Sequence, residues 1–403
     1  PDPDGSSTPS TTTYLHDALG RVTDVLSPDG ASKFTWDAAL NGAGKLASRS
    51  GPDGTHESFA YDTFGRMQQH AWSVHGPVVD ESFDVLMDYD AFGRPKSVTY
   101  PVVPGRATRF KTQLDYRGDA LWSLNDKGGY LQKVTEVDLP IPLRLWNVNA
   151  RNADGHLLSG TTGNKVTEHR SYDPLTGQLS NMTATSMVSP TPVLSLDYTY
   201  WPDGAVKSRA DVPRSRNETF DYGDGFSRLT AWHLTYGGVT QNVGYHFDPI
   251  GNLDQVTVGG NPSETNTPDP ALPHALGTTK IFASGVSRGF KYDARGRQYS
   301  TTDSARFVEF NEFNLPKTIK TNAGLTTFDY DAVGRRVKKT DPSGVETITL
   351  GGLYERRRES KKTVHVFYVP GSDGNLTQVS YSDDGVTKKE WHEYIHPDAL
   401  GSA

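Results

Sequence analysis

Cysteine is missing from all 403 residues, which excludes a disulfide framework and any cysteine-based zinc site. Apolar residues are scarce at 34%, and no apolar run approaches the roughly 18 residues that a membrane-spanning helix requires. There is no basic block: 41 Lys and Arg are interspersed with 48 Asp and Glu, for a formal charge of -7, which argues against nucleic acid as the main partner. No signal-peptide pattern opens the sequence, and residues 1–13, rich in Pro, Ser and Thr, read as a linker or boundary. No capped amphipathic helix longer than two turns can be drawn anywhere. The lack of cysteine leaves the compartment open, but it suits a large exported bacterial protein, because such a chain cannot misoxidise on the way out.

What the chain does have is punctuation and rings. It contains 40 Gly and 25 Pro, with 19 Tyr, 16 Phe and 7 Trp. So many aromatics exclude a disordered chain, and so many turn formers between Tyr, Thr and Val segments imply short strands joined by many turns.

One six-residue phrase keeps returning. It is His16-Asp17-Ala-Leu-Gly20-Arg21, then Tyr61-Asp62-Thr-Phe-Gly65-Arg66, then Tyr89-Asp90-Ala-Phe-Gly93-Arg94. It comes back as Tyr292-Asp293-Ala-Arg-Gly296-Arg297 and Tyr330-Asp331-Ala-Val-Gly334-Arg335. Variants are Tyr172-Asp173-Pro-Leu-Thr-Gly177, with one inserted residue, Phe247-Asp248-Pro-Ile-Gly251-Asn252, and Phe310-Asn311-Glu-Phe-Asn314-Leu315. Each part has a physical reason. The aromatic ends a strand; the Asp accepts backbone amides of the turn; the Gly, or Asn314, takes positive φ; the Arg opens the return strand as a hydrogen-bonding group at the strand edge. This is the chemistry of a hairpin closed by a three-to-five-residue loop with a bulge.

A second turn phrase lies between these: Pro28-Asp-Gly30, Pro52-Asp-Gly54, Pro202-Asp-Gly204 and Pro342-Ser-Gly344. Turn glycines at 20 and 30, at 44, 54 and 65, and at 334 and 344 leave room for one strand of ordinary length between turns. The prediction is therefore an all-β chain, a long antiparallel meander of hairpins with two strands per repeat. The pattern fades at 101–165 and again at 259–280, where Pro, Thr and Asn crowd together, and both stretches are expected to be irregular.

These phrases resemble the YD repeats of RHS (rearrangement hotspot) proteins, of the C component of insecticidal Tc toxins, and of the teneurin shell. Pro273-His-Ala-Leu276, Gly352-Leu-Tyr-Glu-Arg356 and Tyr394-Ile-His-Pro-Asp-Ala-Leu-Gly-Ser402 resemble landmarks near the end of bacterial RHS cores. The resemblance implies that residues 14–403 form a curved, spiralling antiparallel sheet, part of a hollow shell. It further implies a secreted or extracellular protein whose partners are a toxin or effector cargo and the remaining parts of the shell. The alternative is a teneurin-like adhesion or carbohydrate-binding module that contacts a cell-surface glycan or protein. Two departures stand out: the chain is short for a closed shell, and it stops before the Asp-Pro-x-Gly-type segment that ends RHS cores, so it reads as a fragment or short relative with no assignable toxin domain.

Two enzyme-like matches compete with this reading. His392-Glu-Tyr-Ile-His396 fits the HExxH zinc pattern, which needs a helix to aim both histidines at one metal. Strand-favouring neighbours and Pro397 argue against that helix. Gly285-Val-Ser-Arg-Gly289 fits the nucleophile elbow, but leads into another Tyr-Asp turn rather than a helix. Neither catalysis nor a cofactor or metal is expected. Asn181, Asn217 and Asn375 open glycosylation sequons, relevant only in a secreting eukaryote.

Overall fold

The computed structural model describes residues 11–76, 79–116, 129–189, 191–223, 225–372 and 376–398. Asn375 therefore lies outside the described residues, as do 1–10 of the expected linker and 399–403. Among the described residues there are thirty-three strands, from Thr13–His16 to Lys388–Ile395, and no helix. Successive strands pair antiparallel from Thr13–His16 to Lys133–Glu136, from Leu143–Arg151 to Gln298–Thr301, and from Arg306–Phe310 to Lys388–Ile395. The architecture is the all-β meander that the turn spacing predicts.

At the aromatics that precede the Tyr-Asp-type turns, the ladder slips by one residue. The slip falls at Tyr61, Tyr89, Tyr172, Tyr292 and Tyr330, and also at His16, Trp36, Tyr200, Phe247 and Phe310. A bulge at this point twists the strand and re-aims the ring over its neighbour.

Of the two stretches expected to be irregular, 259–280 is largely strand, whereas 101–165 holds four strands separated by non-strand segments. Residues 259–280 hold most of the hairpin Asn261–Asp269 with Leu272–Ile281. Its prolines escaped notice because they sit where the ladder tolerates a missing donor: the register slips beside Pro262 and on both sides of Pro268. Within 101–165 lie the strands Lys111–Asp115, Lys133–Glu136, Leu143–Arg151 and Leu157–Thr162.

The chain forms two compact units. One comprises residues up to Leu145 together with Arg306–Ile395; the other comprises Trp146–Ala305 and the residues from His396 onward. The core of the first is aromatic. Phe110 and Phe367, both fully buried, stack with centroids 4.5 Å apart, and Tyr100 and Tyr354 close on Phe367 at 5.6 and 5.7 Å. The second buries Trp146, Leu157, Val166, Met182, Ala184, Leu196 and Tyr198.

Candidate functional site

The repeat turn is one structure made many times. In Asp62 to Arg66, the Asp62 amide donates to the Arg66 carbonyl and the Gly65 amide to the Asp62 carbonyl, both at 2.9 Å. Asp62 Oδ1 accepts the amides of Phe64 and Arg66 at 2.9 Å, and Oδ2 accepts Arg66 Nε at 2.7 Å. Asp17, Asp90 and Asp293 repeat every one of these bonds. Asp248 does so with Asn252 in place of Arg, and Asn311 keeps the two amide bonds. Asp173 accepts the Leu175 and Thr176 amides around its inserted residue. The glycines at 20, 65, 93, 177, 251, 296 and 334 have φ between +72° and +98°, and Asn314 has +63°. At Asp17 the Arg21 amide and guanidinium hold the carboxyl below the usual carboxylate range against the opposing pull of desolvation.

Three features of this turn were not legible beforehand. Gly51–Thr55, Trp201–Ala205 and Asp341–Val345 close with the same backbone bonds as Asp62–Arg66, so most Pro-x-Gly phrases are the same turn and not a second type. Of the four phrases, only Pro28-Asp29 forms a two-residue turn, flanked by the paired Ser27 and Gly30. Asn152–His156 is a further copy, with Gly155 at φ +87°. Its signal was Asn in the Asp place and Gly three residues on.

The tyrosine and arginine join one hairpin to the next. Tyr61, Tyr89, Tyr292 and Tyr330 donate their hydroxyls to the carbonyls of Leu46, Met67, Leu276 and Pro316 at 2.6–2.9 Å. Each acceptor lies 14 to 22 residues back, on the neighbouring repeat. The arginines stack forward: Arg21 over Trp36, Arg66 over Tyr89 and Arg94 over Tyr116, at 5.1, 4.6 and 4.4 Å. They are thus bridges between repeats, more than the edge groups expected.

Within the first unit the chain returns alongside its own beginning. Asp29 Oδ2 accepts the Glu312 amide at 2.6 Å and Asp53 Oδ2 the Tyr330 amide at 2.9 Å. Lys338 Nζ donates to the His75 carbonyl at 2.8 Å, and Tyr100 donates its hydroxyl to the Tyr368 carbonyl at 2.9 Å. A Cβ on Gly51 would lie 3.0 Å from the Ala332 nitrogen, so the two backbones touch there. Partners along this seam are 256 to 284 residues apart and run in the same order on both sides. Within each run of hairpins in this unit, strand reversal puts the Tyr-Asp turns on one edge, so the seam joins the opposite edge of the early hairpins to the Tyr-Asp edge of the late ones.

Buried charges line the seam. Glu57, 1% exposed in its side chain, accepts Arg49 Nε at 2.6 Å and contacts His70 Nε2 at 2.7 Å. Arg49 also reaches Asp331 at 3.3 Å, and among the described residues Arg335 does not take the place that Arg66 has on Asp62. Burial, with Glu57 nearby, raises the Asp331 carboxyl above its ordinary value, opposite to Asp62, although the Arg335 amide and Arg49 pull it down. Burial likewise raises Asp53, against the Tyr330 amide.

Each histidine of the HExxH match pairs with a buried glutamate. His392 stands in the strand Lys388–Ile395 with Nε2 2.9 Å from Glu136 Oε2. In the second unit His396 Nδ1 lies 3.4 Å from Glu168 Oε2. Glu136, Glu390 and His392 place ligand atoms within 4.8 Å of one another. Arg106 already donates to both glutamates and to Asp138, at 2.6–3.2 Å, and supplies the positive charge those acceptors need. Ser287 is exposed in the strand Val286–Tyr292 and has no helix behind it.

No family model and no curated protein matches the sequence. Solved structures do. The crystal structure of TcdB2-TccC3-Cdc42 superposes with a TM-score of 0.76 at 16% identity, over 98% of this chain and 22% of that one. TcdB2-TccC3-TEV gives 0.73 at 15%, over 97% and 23%. The Tc holotoxin pore of Photorhabdus luminescens, with a mutated TccC3, gives 0.69 at 14%, over 97% and 22%. The fold is that of these TccC3-containing structures, and the chain spans under a quarter of their length.

Proposed function

We propose that the chain is a stretch of wall from an RHS-type protein shell, exported by a bacterium, that encloses a polymorphic toxin until delivery. The observation that carries this is the superposition of nearly the whole chain on TccC3-containing shells. The local chemistry supports it. Most Tyr-Asp-type turns are closed by their own Asp or Asn, and Tyr hydroxyls and Arg stacking tie several hairpins to their neighbours, so strength is spread along the sheet instead of concentrated around one ligand. Such a wall works without catalysis, and the pairing of His392 with Glu136 and of His396 with Glu168 supports that reading of the HExxH match.

The test uses the natural polypeptide that contains this stretch. Any domain it encloses should resist protease in the intact protein and be digested quickly once urea opens the wall. Equal digestion before and after opening rejects the proposal. His392→Ala and Ser287→Ala should leave the protection intact, and the purified protein should hold less than one equivalent of zinc.

A further inference from the structure

The seam in the first unit shows what a Tyr-Asp edge binds. The late hairpins meet the early ones through backbone amides at the turn, those of Glu312 and Tyr330, taken by the outward carboxylates of Asp29 and Asp53. At these docked turns the apolar residue at the tip is half covered: Phe313 is 43% exposed and Val333 47%.

The early hairpins carry a Tyr-Asp edge of their own with the same parts. Asp62 and Asp90 close the same turn as Asp331. The Thr63 and Ala91 amides, which correspond to Glu312, have no acceptor among the described residues. The tips Leu19, Phe64 and Phe92 are 76%, 81% and 70% exposed. Donors and apolar tips stand along the same line; the guanidinium groups of Arg66 and Arg94 lie over the rings of Phe64 and Phe92, and the rings stay largely exposed.

The late hairpins repeat the backbone of the partner edge but not its chemistry. Gly30 and Gly324 share φ of +126° and +124°, and a Cβ on either would meet the proline of the next turn on that edge, Pro52 or Pro342, at 3.0 and 2.9 Å. The turns 28–30 and 51–55 therefore recur at 322–324 and 341–345. Ala323 stands where Asp29 would be, and Ser343 where Asp53 would be.

We propose that the exposed Tyr-Asp edge spanning Leu19, Phe64 and Phe92 is a docking surface for a further strip of repeat sheet whose facing turns carry outward carboxylates, as Pro28-Asp29 and Pro52-Asp53 do. A second copy of this chain is the wrong partner, because its corresponding late edge offers Ala323 and Ser343. Neighbours more than four times as long contain room for such a strip. The inference deepens the shell reading by naming the chemistry of the adjoining wall. Protease protection of a cargo does not depend on it, so the two can fail separately.

The test supplies the missing carboxylates. The full chain with Ala323→Asp and Ser343→Asp acquires the clasp on its late edge and should associate head to tail. Sedimentation velocity should show an apparent Kd at least about tenfold below that of the wild type, as expected for added charge-assisted hydrogen bonds. Phe64→Glu with Phe92→Glu in the same chain should abolish the gain. No gain, a gain that survives the charged tips, or wild type that associates as tightly, each overturns the proposal. Asp occupies the twin turns naturally, so the variant is expected to fold. If it does not, a disulfide-closed peptide covering residues 46–61 is added to the wild type. It should slow amide exchange at Tyr61 and Tyr89, the counterparts of Tyr330, and its Asp53→Asn form should not; equal slowing, or none, refutes the docking surface.

Discussion

A single aspartate does most of the local work, because one carboxylate satisfies two turn amides and a guanidinium that would otherwise face water or go unpaired. The glycine three residues later is needed for conformation. Gly334 sits at φ +79° with Leu315 Cδ1 3.2 Å from where a Cβ would be. Gly334→Val should cost more than about 1 kcal/mol in urea unfolding, since a β-branched residue is strained there. His365 is a second residue-scale test. Buried beside Tyr354, with its Nδ1 2.6 Å from the phenol oxygen, its imidazole is pushed down to about 4 by burial and by Arg356 and Arg358. Between pH 6.5 and 4 the unfolded chain binds more protons at this site than the folded one. Its contribution is therefore complete above pH 6.5 and is lost as pH falls, by on the order of 3 kcal/mol. His365→Gln should flatten that part of the stability profile; an unchanged slope would place the dependence elsewhere.

Hairpins are the natural element here, and the bulge at each aromatic links them. A slip of one residue at Tyr89 turns its ring back so that the hydroxyl reaches Met67, while Arg66 covers its face. The seam uses the same element in a second way, since the turn that closes a hairpin also presents its amides to a distant carboxylate. Asp53→Asn keeps the shape but weakens the acceptor for the Tyr330 amide, and Gly51→Ala pushes a methyl into the Asp331–Ala332 backbone. Both should raise hydrogen exchange across 330–335 while leaving the Asp62 and Asp90 turns unchanged, and Gly51→Ala should have the larger effect. Uniform exchange changes throughout the chain would mean that the seam is not a separate cooperative contact.

At the scale of the whole molecule, a meander has edges that must be managed. The strand Lys388–Ile395 pairs along its length with Leu376–Asp383, and no ladder on its other side is present among the described residues. Side chains do hold it: Arg106 binds Glu390, and Glu136 meets His392. In the isolated chain, amides of this strand that face away from Leu376–Asp383 should exchange far faster than those of the doubly paired strand Thr363–Pro370. Comparable protection would reveal a partner on that edge.

The sequence by itself settled much of what acts over a few residues. Asp followed three residues later by Gly favours one kind of turn, and turns about ten residues apart leave room for one strand between them, so the all-β meander and the turns at Asp17, Asp62, Asp90, Asp293 and Asp331 were legible. It misplaced 259–280 because composition does not tell a Pro at a register slip from a Pro in a loop. Tertiary structure decided what pairs across 256 to 284 residues. No local pattern encodes that spacing. Asp29 and Asp53 look in sequence like other turn residues, and only the return of the chain beside them makes their carboxylates acceptors for Glu312 and Tyr330. Asp331 shows the same division within one residue: its turn follows from its neighbours, whereas its raised proton affinity comes from burial under the seam, close to Glu57.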